Sequence, residues 1–172
     1  DIPSDPSHFN EAKLSDHIDD YRVDVRDSET VKTIVKNIQP DFVFHLAAQA
    51  LVSLSYDNPV ETIMTNAIGT ANILDALKKL KKPVIAVMIT SDKAYDNVEW
   101  VWGYRENDRL GGKDPYSASK GMAELAIRSF ILSFFNHPDS NVRLGIARAG
   151  NVIGGGDWAV DRIVPDCMRA WS

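Results

Sequence analysis

The 172 residues can form a domain with a sizeable core, and their 44% hydrophobic and 25% charged content is ordinary for a globular protein. A formal net charge of -5 with scattered basic residues argues against a nucleic-acid surface. The single cysteine, Cys167, excludes an internal disulfide and fits a reducing compartment. No stretch has the roughly 18 apolar residues that span a membrane, so we expect a cytoplasmic protein without nucleic-acid or membrane partners.

The first third of the chain is predicted to contain two strands and one helix. Alternation in YRVDV predicts a short strand over 21–25, and helical spacing of apolar residues predicts a helix that Pro40 ends. The near-continuous apolar run 41–48 predicts a strand buried on both faces. Residues 1–20, with two prolines and many charges, are predicted to be loosely ordered.

The rest of the chain alternates helical and strand patterns. We predict a polar loop over 49–58, a long helix over 59–80, a buried strand over 83–90 and a charged and aromatic loop over 91–114. A second long helix over 115–135, a strand over 141–149, a Gly-rich loop over 150–158 and the start of a helix over 159–171 follow.

This alternation predicts an α/β fold with a Rossmann-like, doubly wound parallel sheet. Ligands of such sheets bind beyond the carboxyl ends of the strands. The loops that follow Ala48, Thr90 and Ala149 should therefore lie together at the functional edge.

Tyr116 and Lys120 form a Tyr-x-x-x-Lys pattern at the start of the second long helix. Residues four apart share one face of a helix. A phenol with a pKa of about 10 is a poor base at neutral pH, but a nearby ammonium favours the phenolate. The pair could thus act as a general base toward a hydroxyl that is being oxidised.

TSDKAYD, over 90–96, allows two interpretations. It could be only the polar turn that ends a buried strand. Alternatively, Asp92 and Lys93 could be an acid–base pair held in place by the strand end.

Four motifs occur in the order HLAA, TSD, YSASK and RAGNVIGGGD. Together they resemble the extended short-chain dehydrogenase/reductase family, whose members act on nucleotide sugars. The aromatic stretch between TSDK and YSASK is similar to the CDP-glucose 4,6-dehydratase branch of that family. The resemblance runs from about Pro3 to Trp171.

The resemblance implies a redox-neutral reaction that uses NAD. CDP-glucose would be oxidised at carbon 4, lose water across carbons 5 and 6, and regain hydride at carbon 6, giving CDP-4-keto-6-deoxyglucose for deoxysugar and O-antigen biosynthesis. Tyr116 and Lys120 would serve the oxidation. Asp92 would protonate the leaving hydroxyl, Ser91 would assist, and Lys93 would be the carbon-5 base, where dTDP-glucose enzymes have Glu.

Because a lysine is a base only when neutral, Lys93 would need burial or a nearby positive charge to lose its proton. Alternatively, Lys93 only positions Asp92 by ion pairing, and another group removes the carbon-5 proton.

The resemblance also implies ligand contacts. The NAD-binding residues would be Asp24, Val25, Leu46, Ala47, Ala48, Thr65, Thr90, Tyr116 and Lys120, with Asn66 as a further residue facing the cofactor or packing. The substrate-binding residues would be Asn151, Arg162 and Gln49. The aromatic residues Trp100, Trp102 and Tyr104 could form a lid or stack on the substrate. No metal is implied.

The family's first βα unit, with its Gly-rich phosphate turn, and its C-terminal substrate domain have no counterpart in this sequence. We therefore expect residues 1–172 to be a partial NAD-binding domain that carries the catalytic helix and the start of the substrate region. By itself such a chain should hold NAD poorly and be weakly active or inactive.

The resemblance further implies a homodimer through the two long helices. Two other functions remain open. A 4-epimerase or reductase would share the fold without needing the acid–base pair Asp92 and Lys93, and a non-catalytic Rossmann-like binding domain would not depend on Tyr116.

Overall fold

The computed structural model describes residues 7–159 and 161–172. They form two compact units. The larger comprises Val23–Gly150, and the smaller comprises the residues described before Val23 together with those described after Gly150.

The larger unit contains a parallel sheet of three strands. These are β1 (Phe42–His45), β2 (Val84–Ser91) and β3 (Val142–Ala149), in the spatial order β1-β2-β3. Both neighbour pairs are parallel, with His45 opposite Met88 and Ser91 opposite Ala149. The predicted parallel α/β architecture is confirmed.

Seven α-helices occur in the described residues, and the first and last belong to the smaller unit. They are α1 (His8–Glu11), α2 (Ser28–Ile38), α3 (Val52–Asp57), α4 (Pro59–Ile63), α5 (Gly69–Leu77), α6 (Pro115–Phe130) and α7 (Ile163–Trp171). A π-helical turn, Met64–Ile68, joins α4 to α5, and a second, Ile131–Phe135, extends α6. The two predicted long helices are thus present, each with one wider turn.

The core lies where α5 and α6 pack against one face of β2. Alternate residues of a strand point to the same face, and here Val84, Ala86 and Met88 are essentially fully buried. They pack with Leu74 and Ile127, among others. Burial of such side chains is the main force that holds the helices on the sheet.

The prediction that the first apolar run is buried on both faces is wrong. The strand is shorter, Phe42–His45, and Phe42 and Phe44 are 62% and 64% exposed. β1 is an edge strand, and the helices of the larger unit pack against the face opposite these two phenylalanines. An apolar run in the sequence reports hydrophobicity but not the layer that covers it.

The predicted strand over 21–25 is also absent. A strand needs a hydrogen-bonded neighbour, and this segment has none among the described residues. The Asp24 carbonyl instead accepts from Asp27 N (3.0 Å) and the Asp24 carboxylate from Arg26 N (2.8 Å). Such local hydrogen bonds compete with extended structure.

Two segments are more ordered than predicted. The polar loop expected over 49–58 contains α3, whose Ser55 is fully buried and donates a hydrogen bond to the Val52 carbonyl (2.7 Å). The predicted loose N-terminal region contains α1, capped by the side chain of Ser7. In the described part of the chain, no helix has the length and apolarity needed to cross a membrane.

Candidate active site

The carboxyl edge of the sheet brings the motif-bearing loops together. β2 ends at Ser91 directly beside the end of β3 at Ala149. A Cβ added at Gly150 would lie 3.9 Å from Asp92 Oδ2, so the first residue after β3 lies beside the candidate acid. This proximity is what parallel pairing predicts for residues that follow neighbouring strands.

Asp92 and Lys93 lie in a single 3₁₀ turn, Asp92–Ala94, that begins as soon as β2 ends. The Ser91 hydroxyl accepts a hydrogen bond from Lys93 N (3.2 Å) and donates one to Asp92 Oδ1 (3.1 Å). Ser91 is buried, whereas Asp92 and Lys93 are exposed. The TSDK motif therefore both ends a strand and exposes two charged side chains, Asp92 and Lys93.

The helix that carries Tyr116 and Lys120 has a well-formed start. Asp114 accepts from Ser117 N (2.9 Å) and from the Ser117 hydroxyl (2.6 Å), and Pro115 occupies the first turn. Tyr116 N donates to the buried Ser55 Oγ (3.2 Å). These bonds fix the first turn of α6, and with it the buried Tyr116 side chain.

Lys120 is a buried ammonium beside the tyrosine. Its Nζ lies 5.8 Å from the centroid of the Tyr116 ring, and its residue is 8% exposed. Burial lowers the pKa of Lys120 because a charged group is poorly solvated there. Among the described residues, no hydrogen-bond or ion-pair partner meets this ammonium. An unmatched buried cation of this kind is typical of a functional site.

The acid–base turn packs directly against α6. A Cβ added at Gly121, the residue after Lys120, would lie 2.7 Å from the Gly111 carbonyl oxygen and 3.7 Å from that of Ala94. Only a residue without a side chain permits this approach. The sequence therefore brings TSDK and YSASK to the same part of the molecule, as their shared position at the sheet edge predicts.

His45 ends β1 and is a buried structural residue. Its Nε2 lies 3.0 Å from Thr70 Oγ1, whose single proton goes to the Asn66 carbonyl (2.6 Å). Nε2 of His45 must then donate. Burial, together with the positive charge of Lys120, lowers the pKa of His45 to about 4.

A buried ion pair next to the site was missed by the sequence reasoning. Glu124 is fully buried and binds Arg148 through two hydrogen bonds, Nε to Oε1 (2.6 Å) and Nη2 to Oε2 (2.5 Å). Thr90, predicted as a cofactor residue, donates to Glu124 Oε1 (2.7 Å). The available signal was the spacing: Tyr116, Lys120 and Glu124 follow one another at intervals of four on one helix face.

Asp24 and Val25, two of the predicted NAD-binding residues, lie on a turn anchored to α5. Asn72 Nδ2 donates to the Val25 carbonyl (2.9 Å), and a Cβ at Gly69 would approach the Val25 side chain to 2.6 Å. Both carboxylate oxygens of Asp24 accept from the Arg26 guanidinium, which lowers the pKa of Asp24. A ligand at Asp24 would have to share that carboxylate with Arg26.

The other predicted cofactor residues differ in accessibility. Leu46 and Ala47 are exposed just beyond β1, whereas Ala48 and Thr65 are half-buried. Asn66 is 2% exposed and donates to Ser119 Oγ (2.8 Å), which identifies it as a packing residue.

Gln49 supports the loop after β1. Its side-chain amide donates to the Leu51 carbonyl (2.9 Å) and to Thr62 Oγ1 (3.0 Å), and its Oε1 accepts from Leu51 N. These three bonds hold the side chain within the larger unit.

The remaining predicted substrate residues belong to the smaller unit. Asn151 is exposed, and Arg162 lies 3.6 Å from the Asp157 carboxylate. A cleft of about 400 Å³ occurs in the larger unit, lined in part by Phe135, His137 and Val142. It lies at the amino end of β3, at the opposite edge of the sheet from the site. The described residues include no cluster of metal-ligating side chains.

Comparison with protein families gives a match over residues 5–141 to the GDP-mannose 4,6-dehydratase family. The chain belongs to this family. Within the GDP-mannose 4,6-dehydratase family, it is 49% identical to CDP-glucose 4,6-dehydratase of Salmonella typhimurium, over 100% of this chain and 49% of that protein. It therefore spans about half the length of that relative, and the predicted resemblance is confirmed.

Two solved structures of nucleotide-sugar enzymes share the fold. DesIV, a dTDP-glucose 4,6-dehydratase from Streptomyces venezuelae, superposes with a TM-score of 0.77 at 22% identity, over 94% of this chain and 48% of that chain. MoeE5 in complex with UDP-glucose and NAD gives 0.71 at 25% identity, over 87% and 46%. The Rossmann-like fold class is thereby confirmed.

Substitution of His45 should change how stability depends on pH. Below pH 6.5 the unfolded state binds a proton that the folded His45 does not accept until about pH 4. Stability present above pH 6.5 is therefore lost as the pH falls from 6.5 to about 4, by up to about 3 kcal/mol. His45→Gln should flatten that slope in urea unfolding measured between pH 4 and 7.

His137→Gln, at an exposed histidine, is the matched control and should retain the wild-type slope. If the His45→Gln slope equals that of the wild type, the folded protein does not exclude the proton from His45.

Proposed function

We propose that this chain carries the catalytic core of an NAD-dependent nucleotide-sugar 4,6-dehydratase that converts CDP-glucose to CDP-4-keto-6-deoxyglucose. One observation carries the proposal: the buried residue Lys120, whose ammonium has no hydrogen-bond or ion-pair partner among the described residues, lies beside Tyr116 on a helix that packs against the Asp92–Ala94 turn. The 49% identity to a CDP-glucose 4,6-dehydratase supports CDP as the nucleotide.

The residues at the sheet edge fit a dinucleotide. A ribose hydroxyl is a suitable partner for the buried Lys120 ammonium, and the small side chains Ala47 and Ala48 allow close approach after β1. NAD, when bound, supplies reversible hydride acceptance. MoeE5, which shares the fold at 25% identity, was solved with NAD. The residues proposed to hold it are Asp24, Val25, Leu46, Ala47, Ala48, Thr65, Thr90, Tyr116 and Lys120.

Tyr116 is proposed to take the proton of the substrate 4-hydroxyl. The Lys120 ammonium lies 5.8 Å from the centroid of the Tyr116 ring, and a positive charge near a phenol favours its ionised form. Tyr116 N donates a hydrogen bond to Ser55 Oγ, which fixes the main chain from which the ring projects. Such preorganisation makes proton transfer efficient.

Asp92 is proposed to donate a proton to the 6-hydroxyl as it leaves as water. The Ser91 hydroxyl, which donates to Asp92 Oδ1, fixes the orientation of that carboxyl group. Lys93 is proposed to remove the carbon-5 proton, which becomes acidic once carbon 4 is a ketone. Carbon 5 regains a proton as hydride adds to carbon 6. The sugar therefore loses one water in total, and the hydrogen removed from carbon 4 ends on carbon 6.

The Lys93 side chain is exposed, so burial does not strip water from its ammonium. The alternative also stands, in which Lys93 positions Asp92 and another group takes the carbon-5 proton.

The proposed substrate contacts are Asn151, Arg162 and Gln49. Arg162 suits a diphosphate because a guanidinium binds phosphate oxygens in pairs. Gln49 would have to exchange one of its internal hydrogen bonds for a ligand. We propose that the reaction takes place in the cytoplasm, because a chain with a single cysteine has no internal disulfide and fits a reducing compartment.

A homodimer through the two long helices is part of the proposal. Their surfaces carry apolar side chains at helical spacing that are 41–72% exposed, namely Val60, Met64, Ile68, Met122 and Leu125. Apolar stripes of this kind are typical of helix–helix interfaces.

An assay of the complete protein with several glucose nucleotides tests the function. We expect CDP-glucose to yield a 4-keto sugar, seen by its absorbance in alkali, without net formation of NADH. UDP-glucose, dTDP-glucose and GDP-glucose should react more slowly. An epimerised sugar as the product would instead identify a 4-epimerase.

Lys93→Met tests the proposed base. It should abolish exchange of the carbon-5 proton with solvent, because methionine cannot accept a proton, while oxidation at carbon 4 stays measurable. Lys113→Met, at an exposed lysine, controls for loss of surface charge. Normal carbon-5 exchange in Lys93→Met would rule out the base role and favour the positioning role.

A further inference from the structure

A column of side chains, buried at Glu124 and half-buried elsewhere, connects the elements that carry the reacting groups. We call Glu124, Arg148, Tyr95 and Tyr104 the Arg148 column. Glu124 binds the Arg148 guanidinium in bidentate fashion. The guanidinium carbon lies 4.4 Å from the centroid of the Tyr95 ring, and that ring stacks on Tyr104 at 4.9 Å.

Two residues of the column lie close in sequence to the proposed reacting groups: Glu124 to Tyr116 and Lys120, and Tyr95 to Asp92 and Lys93. Glu124 lies one helical turn beyond Lys120, on the same face of α6. Tyr95 directly follows the Asp92–Ala94 turn, and its N–H donates to the Asp92 carbonyl (3.2 Å). Arg148, on β3, bridges the two.

Thr90 closes the arrangement from β2. Its hydroxyl donates to the same Glu124 oxygen that accepts from Arg148 Nε. One carboxylate therefore holds together the carboxyl-terminal ends of β2 and β3 and the middle of α6. A displacement of α6 relative to the strand ends would break at least one of these bonds.

The Tyr95 ring has an electrostatic reason to stay in place. Glu124 raises the pKa of Arg148, which keeps the guanidinium charged. Its Nη1 is buried and has no hydrogen-bond partner among the described residues. The face of an aromatic ring attracts a cation, so Tyr95 partly offsets the lost hydrogen bond.

We propose that Tyr95 and the Glu124–Arg148 pair are positioning residues that hold the Asp92–Ala94 turn in register with Tyr116 and Lys120. This inference rests on the proposed function of those groups. Tyr95 acts on the turn, whereas Glu124 and Arg148 act on both the turn and α6. Removing the Tyr95 ring should therefore impair the elimination step selectively.

A stabilising role alone would behave differently. Replacing a buried ion pair by apolar residues of similar volume is often neutral or stabilising. If the pair only supports the fold, the double variant Glu124→Leu/Arg148→Met should keep its activity as long as it remains folded. If the pair positions the site, this variant should remain folded and lose activity.

The main experiment uses Tyr95→Leu in the complete protein. We expect exchange of the substrate carbon-5 proton to fall by at least about tenfold, since a misplacement of about 1 Å can cost about a hundredfold. Oxidation at carbon 4, followed in a single turnover, should change by less than about twofold. Tyr21→Leu, at an exposed tyrosine, is the matched control and should leave both steps unchanged.

Amide hydrogen exchange gives a readout that does not need activity. In Tyr95→Leu, the amides of the Asp92–Ala94 turn should exchange faster, while those in the middle of α6 keep their protection. If the complete protein proves not to be a dehydratase, this measurement still decides whether Tyr95 positions the turn.

Three results would overturn the inference. They are an equal fall of both reaction steps in Tyr95→Leu, unchanged amide exchange at the turn, and full activity of a stable Glu124→Leu/Arg148→Met variant.

Discussion

Parallel pairing of β2 with a neighbour on each side determines where the candidate groups at the strand ends lie. Because the strands run in one direction, their carboxyl ends meet at one edge. His45, Ser91 and Ala149 end the three strands there, and the TSDK turn starts within one residue of the β2 end. The apolar face of β2 then sets the position of α6, since Val84, Ala86 and Met88 are buried where α5 and α6 pack.

The site combines one unmatched buried charge with one matched pair. Lys120 has no counterion among the described residues, so burial lowers its pKa and leaves its ammonium available to a ligand. Four residues along the same helix, Glu124 is buried with Arg148 as its bidentate partner. An unpaired buried charge is costly, and its presence next to a charge-matched pair fits a functional role for Lys120.

The alternation of strands and helices and the chemical motifs were predictable because both depend on local sequence. Periodicity located β2, β3 and the two long helices, and the Tyr116–Lys120 spacing put both side chains on one face of α6. The sheet edge then brought TSDK and YSASK together, as topology requires.

The features that were wrongly predicted or missed depend on contacts between residues distant in sequence. Whether 21–25 forms a strand depends on a neighbour to pair with, and the exposure of Phe42 depends on which face the helices cover. The short helix α3 is stabilised by burial of Ser55 near Tyr116, 61 positions away. Glu124 and Arg148 are 24 residues apart, so no local sequence pattern indicates that they pair.

The central claim is that one sugar loses water between carbons 5 and 6 while its carbon-4 hydrogen moves to carbon 6. The most direct measurement is to give the complete protein CDP-glucose that carries deuterium at carbon 4, and to locate the label by NMR and mass spectrometry. We predict a 4-keto-6-deoxy product with the deuterium on carbon 6. Deuterium retained on carbon 4 of an epimerised sugar, or lost to the solvent, would contradict the proposed dehydratase.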